Sequence, residues 1–135
     1  MLYTFGDMEL VHIDAYSKVL ETVGLPDEHY TSYLDIAEMR AKHDMMRNCS
    51  METPHDIATT LAKVSAFGEG LQLFSSFAML LNFPRFGKMK SMGQIVSWSA
   101  RDETLHVWGM TKLFHQFCCE AGIAKADLHE ADFVF

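Results

Sequence analysis

The chain has 135 residues, which is enough for one domain with a hydrophobic core of its own. Its formal charge of −7 and its pI of about 5.4 argue against a surface that binds nucleic acid, because the basic residues are too sparse to form a stripe. Three cysteines, two of them adjacent, suit a reducing compartment better than a disulfide framework, so we expect a cytoplasmic protein.

The first predicted helix runs from about residue 4, or from the first residue, to residue 23, where Gly24 and Pro26 form a typical stop. On it, Glu9, His12 and Tyr16 recur at i, i+3 and i+7 and therefore share one face. The other faces also carry apolar side chains, so we expect this helix to be buried nearly all round. These apolar residues are Leu10, Val11, Ile13 and Val19.

A second predicted helix begins at Pro26, which suits a first helical turn, and runs to about Met46. Its apolar residues are expected to face inward, and its charged residues to face solvent. A loop follows at residues 48–54, where Thr53 before Pro54 is a good entry to the next helix. The inward residues are expected to be Tyr30, Tyr33, Leu34, Ile36, Ala37 and Met39.

The third predicted helix covers residues 54–83, is broken or bent around Gly68 and Gly70, and ends before Pro84. Polar side chains interrupt its most apolar part, which therefore falls short of a membrane-spanning helix. Glu69 stands on this helix with almost no other charge nearby. An unpaired carboxylate in a core costs free energy, so a bound metal is the economical explanation for Glu69.

The last long helix is predicted from about residue 88 to residue 121, with a stop at Gly122. The remaining residues, 123–135, are acidic and end in aromatic side chains. We expect them to form a short tail that is ordered only if something holds it. The helical domain would then cover residues 1–122.

Two E-x-x-H pairs, Glu9 with His12 and Glu103 with His106, each place a carboxylate and an imidazole one turn apart on one helix face. A ferritin-like di-metal bundle takes such a pair from each of two helices and one carboxylate from each of two others. With Glu69 the chain supplies five of these six ligands, and carboxylate with imidazole suits iron or manganese. We therefore predict an all-α, ferritin-like helical bundle that holds a dinuclear site.

Asp102 and a third E-x-x-H pair each have two possible interpretations. Asp102 would accept a hydrogen bond from a ligand imidazole and so orient the ring, or it would pair with Arg101 near the surface. A third E-x-x-H pair, Glu52 and His55, spans the Thr53-Pro54 helix entry and should not share a helical face. We assign that third pair to capping and solvent.

The stretches FGDMELVHIDAY, EGLQLFSSFA and ARDETLH resemble the small, radical-generating subunit of class I ribonucleotide reductase, over nearly all of residues 5–120. The resemblance implies that Tyr16 is the tyrosine oxidised to a stable radical and that Asp102 belongs to the radical-transfer route. It also implies a dinuclear site of iron, manganese or one of each. The metal ligands implied by the resemblance are Glu9, His12, Glu69, Glu103 and His106.

The residues around Tyr16 leave its role open without the resemblance. Its phenol would lie close to the metals, with Leu73 and Phe77 as candidates for an apolar wall that shields a radical. A buried tyrosine hydrogen-bonded to a carboxylate would give a similar pattern. On the resemblance, Tyr16 is the redox group, and the partners are a second copy of the chain and the large catalytic subunit.

Members of the resembling family are longer than this chain. Their sixth metal ligand lies on a helix upstream of the first E-x-x-H pair, and further helices follow the position of residue 120. We therefore expect an incomplete bundle, from either a partial gene product or a shortened relative. Two other functions stay open, namely a ferritin-like oxidase or iron-binding protein, and a helical interaction module without metal.

Overall fold

The computed structural model describes residues 2–124, 127 and 128, so most of the predicted tail lies outside the described residues. Within this part every regular element is helical and no strand occurs, which confirms the prediction of an all-α chain. The elements are α1 Leu2–Val23, α2 Ala37–Arg47, α3 Pro54–Ala62, a π-helical segment Lys63–Gln72, α4 Leu73–Leu80, α5 Asn82–Arg85 and α6 Lys90–Ala121.

The two long helices end where the sequence predicts. After α1, Gly24 has a φ of 74°, and after α6, Gly122 has a φ of 69°. Both glycines adopt the left-handed conformation that ends helices and that other residues take at a cost.

Helices α1 and α6 pack antiparallel in a fixed register. Residues further along α1 contact residues that lie correspondingly closer to the start of α6. The same register carries Val19 to the small hydrophobic core, where it packs against the cluster of Phe77, Met92 and Val96. The polar contacts that define the register are Glu9 with His106, His12 with Glu103, and Tyr16 with Ser99.

The prediction that α1 is buried nearly all round is wrong. Leu10 is 65% exposed, Val11 66% and Ile13 62%. The physical reason is that α1 packs on α6 through one face, and nothing within residues 2–124 covers the opposite face. An apolar pattern on a helix shows that burial is favourable, but it does not supply the covering surface.

The prediction of one continuous second helix from Pro26 to about Met46 is also wrong. Two 3₁₀ turns, Asp27–Tyr30 and Ser32–Asp35, precede α2, and Ile36 between them and α2 is extended, with φ −88° and ψ 119°. Aromatic, β-branched and serine residues in this region form helices weakly, and little tertiary packing overrides that preference. Of the residues expected to face inward, Leu34 is half-buried, and Tyr30, Tyr33, Ile36, Ala37 and Met39 are exposed.

The third helical stretch begins as expected and then changes its winding. Thr53 and Asp56 form a reciprocal capping box, with Pro54 in the first turn. The expected break at Gly68 and Gly70 is instead a π-helical segment, which keeps the chain helical while adding a residue to each turn. The predicted end before Pro84 is two residues early, because α5 includes Pro84 and ends at Arg85.

Two contacts hold the ends of this stretch in place. A Cβ atom at Gly93 would lie 2.2 Å from Pro84 Cγ, so the absence of a side chain lets α5 pack directly on α6. His55, at the other end, has its Nε2 2.8 Å from the carbonyl oxygen of Asp127. His55 is half-buried and makes this contact instead of the expected capping or solvent-exposed role, and it lies outside the group of converging ligand atoms.

The whole helical stretch Pro54–Arg85 is, among the described residues, long and apolar enough to cross a membrane by length and composition alone. The prediction of insufficient spanning length concerned only the most apolar part of this stretch, which is not tested separately. The signal is weak evidence for a membrane, because a core helix passes the same test. Its π-helical segment packs against α6 and carries Glu69 into a polar cluster.

Candidate metal centre

Four of the five predicted ligands converge between α1, the π-helical segment and α6. Ligand atoms from Glu9, Glu69, Glu103 and His106 all lie within 4.8 Å of one another. The antiparallel register of α1 and α6 brings their two E-x-x-H pairs face to face. The fifth predicted ligand, His12, lies beside this group, with its Nδ1 atom 3.0 Å from Glu103 Oε1.

The two α6 residues of the cluster are buried, and Glu9 lies at its exposed edge. Glu103 is 5% exposed and His106 is 1% exposed, whereas the side chain of Glu9 is 44% exposed at the edge. His106 Nδ1 lies 3.0 Å from Glu9 Oε1 and 3.4 Å from Glu103 Oε2. The ring of Phe5 covers His106, with the ring centroids 4.3 Å apart.

The π-helical segment has a direct effect on the position of Glu69. The segment includes Gly68, which lies near the Met46 side chain of α2, and Gly70, which lies near the Val107 side chain of α6. Such π segments are frequent at functional sites because they redirect one side chain without ending the helix. Burial and the carboxylates of Glu103 and Glu9 raise the pKa of Glu69 to about 7.

Glu103 is affected in the same direction. Burial, followed by the Glu9 carboxylate, raises its pKa, and His106 and His12 oppose the rise. Three carboxylates so close together repel one another when ionised, and removing them from water adds to the cost. The cluster therefore favours either protonated carboxyl groups or a cation among them.

The buried polar atoms that lack a hydrogen bond provide a test of metal binding. Within the described part of the chain, these atoms include Glu9 Oε1, Glu69 Oε2, Glu103 Oε2 and both ring nitrogens of His106. Buried polar groups are normally hydrogen-bonded, so such a concentration of unpaired atoms requires an explanation. Two ligands about 2.1 Å from one ion and at right angles to each other lie about 3 Å apart. His106 Nδ1 lies at comparable distances of 3.0 Å from Glu9 Oε1 and 3.4 Å from Glu103 Oε2. The donor set fits hard, imidazole-accepting metal ions.

Asp102 makes both contacts that the sequence left open. Its Oδ2 lies 3.4 Å from His12 Nε2, and its Oδ1 accepts a hydrogen bond of 3.3 Å from the Arg101 guanidinium. If Nε2 donates its proton to Asp102, neutral His12 presents the Nδ1 lone pair toward Glu103. Two acceptors 3.0 Å apart then need a proton or a cation between them.

Tyr16 lies next to the cluster and at the edge of the apolar core. Its hydroxyl donates a hydrogen bond of 3.1 Å to Ser99 Oγ. Its ring packs against the core cluster that includes Phe77, and Leu73 packs against the same cluster, as expected for the apolar wall. Burial raises the pKa of Tyr16, the Ser99 hydrogen bond opposes this rise, and the Glu103 charge adds to it.

Two cavities reach the cluster from different sides. One of about 200 Å³ is lined by Glu69, Phe77 and Glu103, among others. The other, of about 370 Å³, adjoins Glu9 and Glu69 beneath α2, and among the described residues that line it these two are the acidic ones. The edge of the cluster at Glu9 is thus the side where a further ligand would have room.

Ser99 and Phe5 were not singled out from the sequence. The signal for Ser99 was present in the spacing, because aligning Glu9/His12 against Glu103/His106 in antiparallel fashion places residue 99 opposite Tyr16. Phe5 lies about one turn before Glu9 and had no comparable signal, since an aromatic residue on an apolar helix is usually a packing residue.

Comparison with known proteins identifies similar chains. Residues 1–131 match the family model described as ribonucleotide reductase, small chain. The chain is 46% identical over 131 residues to the probable ribonucleoside-diphosphate reductase small subunit of Invertebrate iridescent virus 6. It is 41% identical over 137 residues to the corresponding protein of Invertebrate iridescent virus 3, and 28% identical over 112 residues to the ribonucleoside-diphosphate reductase subunit beta of Chlamydia pneumoniae.

The matches cover most of this chain and a minor part of each relative. The two viral proteins align with 87% and 89% of the chain, and the bacterial protein with 73%. The chain spans 36% of the length of each viral relative and 32% of the bacterial one.

Proposed function

Because the chain belongs to the ribonucleotide reductase small-chain family, whose fold is ferritin-like, we propose that it acts in ribonucleoside-diphosphate reduction as the component that generates a tyrosyl radical. The proposal makes it an oxidoreductase component for deoxyribonucleotide synthesis in the cytoplasm. Residues 1–122 would form the di-metal domain, followed by the acidic tail at 123–135.

The observation that carries the proposal is the concentration of buried, unpaired ligand atoms between α1 and α6. Three carboxylates and an imidazole point at one another there, next to a second imidazole. A dinuclear site of iron, manganese or one of each would occupy this position and would supply, with dioxygen, the oxidising equivalent for a nearby tyrosine. The proposed ligands are Glu9, His12, Glu69, Glu103 and His106.

Tyr16 is the proposed redox residue of this chain. On oxidation to a neutral radical it gives up one electron and its hydroxyl proton, so its surroundings must tolerate a neutral phenol and a neutral radical. The packing of its ring against Phe77 and its neighbours shields one side of the half-buried ring from water, which would otherwise quench the radical. A tyrosine phenol is protonated and neutral near pH 7, and the raised pKa of Tyr16 acts in the same direction.

Asp102 has two proposed roles that follow from its contacts. Its hydrogen bond to His12 Nε2 fixes the ring so that Nδ1 faces Glu103. Its second oxygen faces Arg101, whose side chain is 75% exposed. Asp102 thus lies between the buried cluster and the surface, a position that supports its proposed place on a radical-transfer route.

The proposed partners are a second copy of the chain and the large catalytic subunit, where the ribose would be reduced. The exposed apolar face of α1 supports a protein partner, because apolar patches of this kind are rarely left open to water. Neither nucleic acid nor a membrane has a place in this proposal.

Titration of the metal-free chain with Mn²⁺ under electron paramagnetic resonance tests the dinuclear site. We expect the six-line signal of free Mn²⁺ to stay suppressed up to two equivalents per chain, with a spin-coupled signal from the pair. Glu69→Ala should lose the second equivalent, whereas Glu38→Ala, an exposed glutamate on α2, should match the parent. A full free-ion signal from the first addition of Mn²⁺ to the parent would refute the metal site.

A further inference from the structure

Ser99 is a polar residue in an otherwise apolar stretch of the interface between α1 and α6. It is 2% exposed, and its Oγ accepts the hydrogen bond of 3.1 Å from the Tyr16 hydroxyl. One turn and two turns before it on α6, Val96 and Met92 belong to the hydrophobic core. A buried hydroxyl costs free energy unless its hydrogen bonds are formed, so the pairing with Tyr16 satisfies two groups at once.

The register of the two helices explains why these residues meet. Tyr16 follows His12 by four residues, and Ser99 precedes Glu103 by four residues. Since the helices are antiparallel and His12 contacts Glu103, the next turn brings Tyr16 opposite Ser99. The serine therefore occupies the position directly beside the cluster, between the proposed ligands and the hydrophobic core.

We infer that Ser99 is a positioning residue for Tyr16, whose phenol O–H bond it directs away from the carboxylates of the metal-binding cluster. The significance of the inference rests on the proposed redox role of Tyr16, but the hydrogen bond itself belongs to the chain without metal. A serine hydroxyl both donates and accepts, so Ser99 also stays available as a donor to the oxygen of an oxidised Tyr16.

The alternative partner for the phenol is Glu103. Burial is the main cause of the raised pKa of Tyr16, and the Glu103 charge adds to it, so this carboxylate is an electrostatic neighbour of the phenol. A phenol hydrogen-bonded to Glu103 would occupy an oxygen that the proposed metal site needs. By accepting the phenol hydrogen, Ser99 leaves the Glu103 oxygens, which face His12 and His106, for the metal.

Nuclear magnetic resonance of the metal-free, full-length chain tests this hydrogen bond without any activity. The chain has four tyrosines, so labelling with ¹³C at the tyrosine Cζ atoms gives four signals, and Tyr16→Phe identifies the one that belongs to Tyr16. Ser99→Ala should shift this signal and speed exchange of the Tyr16 hydroxyl proton by roughly two- to tenfold, the factor that one net hydrogen bond represents. Ser99→Thr, which keeps a hydroxyl, should restore both values.

Ser97→Ala is the matched control on the same helix. The Ser97 hydroxyl donates to the carbonyl oxygen of Gly93 at 2.8 Å and makes no described contact with Tyr16, so its removal should leave the Tyr16 signal unchanged. An unchanged Tyr16 signal in Ser99→Ala overturns the inference. If Ser99→Ala fails to fold, a nuclear Overhauser effect between the Tyr16 hydroxyl proton and the Ser99 β protons in the parent decides, and its absence also overturns the inference.

A second readout separates this inference from the proposed function. In the iron-loaded, air-exposed chain, Ser99→Ala should remove the coupling of an exchangeable deuteron to the Tyr16 radical after transfer to D₂O. A coupling equal to that of the parent contradicts the inference. If the parent forms no radical at all, the proposed function fails, while the measurements on the metal-free chain still decide whether Ser99 positions the phenol.

Discussion

Glu9 Oε1 lies 3.0 Å from His106 Nδ1, and neither of these buried atoms makes a hydrogen bond with the rest of the described chain. The contact joins the E-x-x-H pair of α1 to that of α6. A carboxylate and an imidazole held in this way are stable only with a proton or a cation between them.

The stability of the metal-free chain should depend on pH through Glu69. Its pKa is raised from 4.5 to about 7 in the folded state, so the folded chain binds more protons than the unfolded chain between these values. The stabilising contribution is complete below the lower value and is lost as pH rises through the higher one. Urea unfolding should therefore show a free energy of unfolding that falls between pH 4.5 and pH 7.

Glu69→Gln provides the control for this pH dependence. Glutamine has a similar shape and no titratable proton, so the variant should lose less stability over the same pH range. Part of the dependence should remain, because burial and Glu9 raise the pKa of Glu103 as well. A slope in Glu69→Gln equal to that of the parent would show that Glu69 is not the group responsible.

Tyr16→Phe should remove the radical and keep the metal. The variant loses the hydrogen bond to Ser99, which is worth about 0.5–1.5 kcal/mol in the free energy of unfolding. Metal content by elemental analysis should match that of the parent, and the electron paramagnetic resonance signal of the radical should be absent. Tyr33→Phe, at a position that is 43% exposed, should behave as the parent does. Loss of metal from Tyr16→Phe would make Tyr16 a structural residue instead.

Asp102→Ala should weaken metal binding without removing a ligand. Loss of a group that orients a ligating histidine typically costs 10- to 100-fold in metal affinity. Competition with a chelator of known affinity measures this change. Asp14→Ala removes an exposed carboxylate on α1 that pairs with Lys18, and it should leave the affinity unchanged. Equal affinities in Asp102→Ala and the parent would separate Asp102 from the metal site.

Gly93→Ala should destabilise the fold. The added methyl group would meet Pro84 Cγ at 2.2 Å, so α5 must move away from α6, at a cost of roughly 1–3 kcal/mol. Gly6→Ala is the matched control, because a Cβ atom at that position of α1 has no neighbour within 4 Å. The free energy of unfolding of Gly6→Ala should rise by about 0.5–1 kcal/mol, because alanine has a higher helix propensity than glycine. Chemical denaturation of both variants measures the difference, and equal stabilities would contradict the close packing.

The sequence predicted those features that depend on local spacing. The ends of α1 and α6, the Thr53 cap and the shared face of Glu9, His12 and Tyr16 all follow from residues a few positions apart. Helix periodicity and capping act over that distance, so a single sequence contains the information. The convergence of the two E-x-x-H pairs then followed from the bundle geometry that such pairs require.

The features that were missed depend on packing between distant segments. The extended backbone at Ile36 and the exposed face at Leu10 reflect how little neighbouring structure covers these positions, which no local pattern encodes. The π winding around Glu69 takes the place of the break expected at Gly68 and Gly70, and no local spacing of residues indicates it. The contact of Ser99 with Tyr16 depends on the register of α1 against α6, which joins residues far apart in the sequence.

The most direct test of the central claim is metal and radical content after anaerobic loading of the full chain with ferrous iron and exposure to air. We expect two iron ions per chain and a tyrosyl signal in electron paramagnetic resonance. Glu69→Ala should lose both the paired iron and the radical, while keeping its helical circular dichroism. At most one iron per chain without a radical in the parent would contradict the account, as would equal iron content in the parent and in Glu69→Ala.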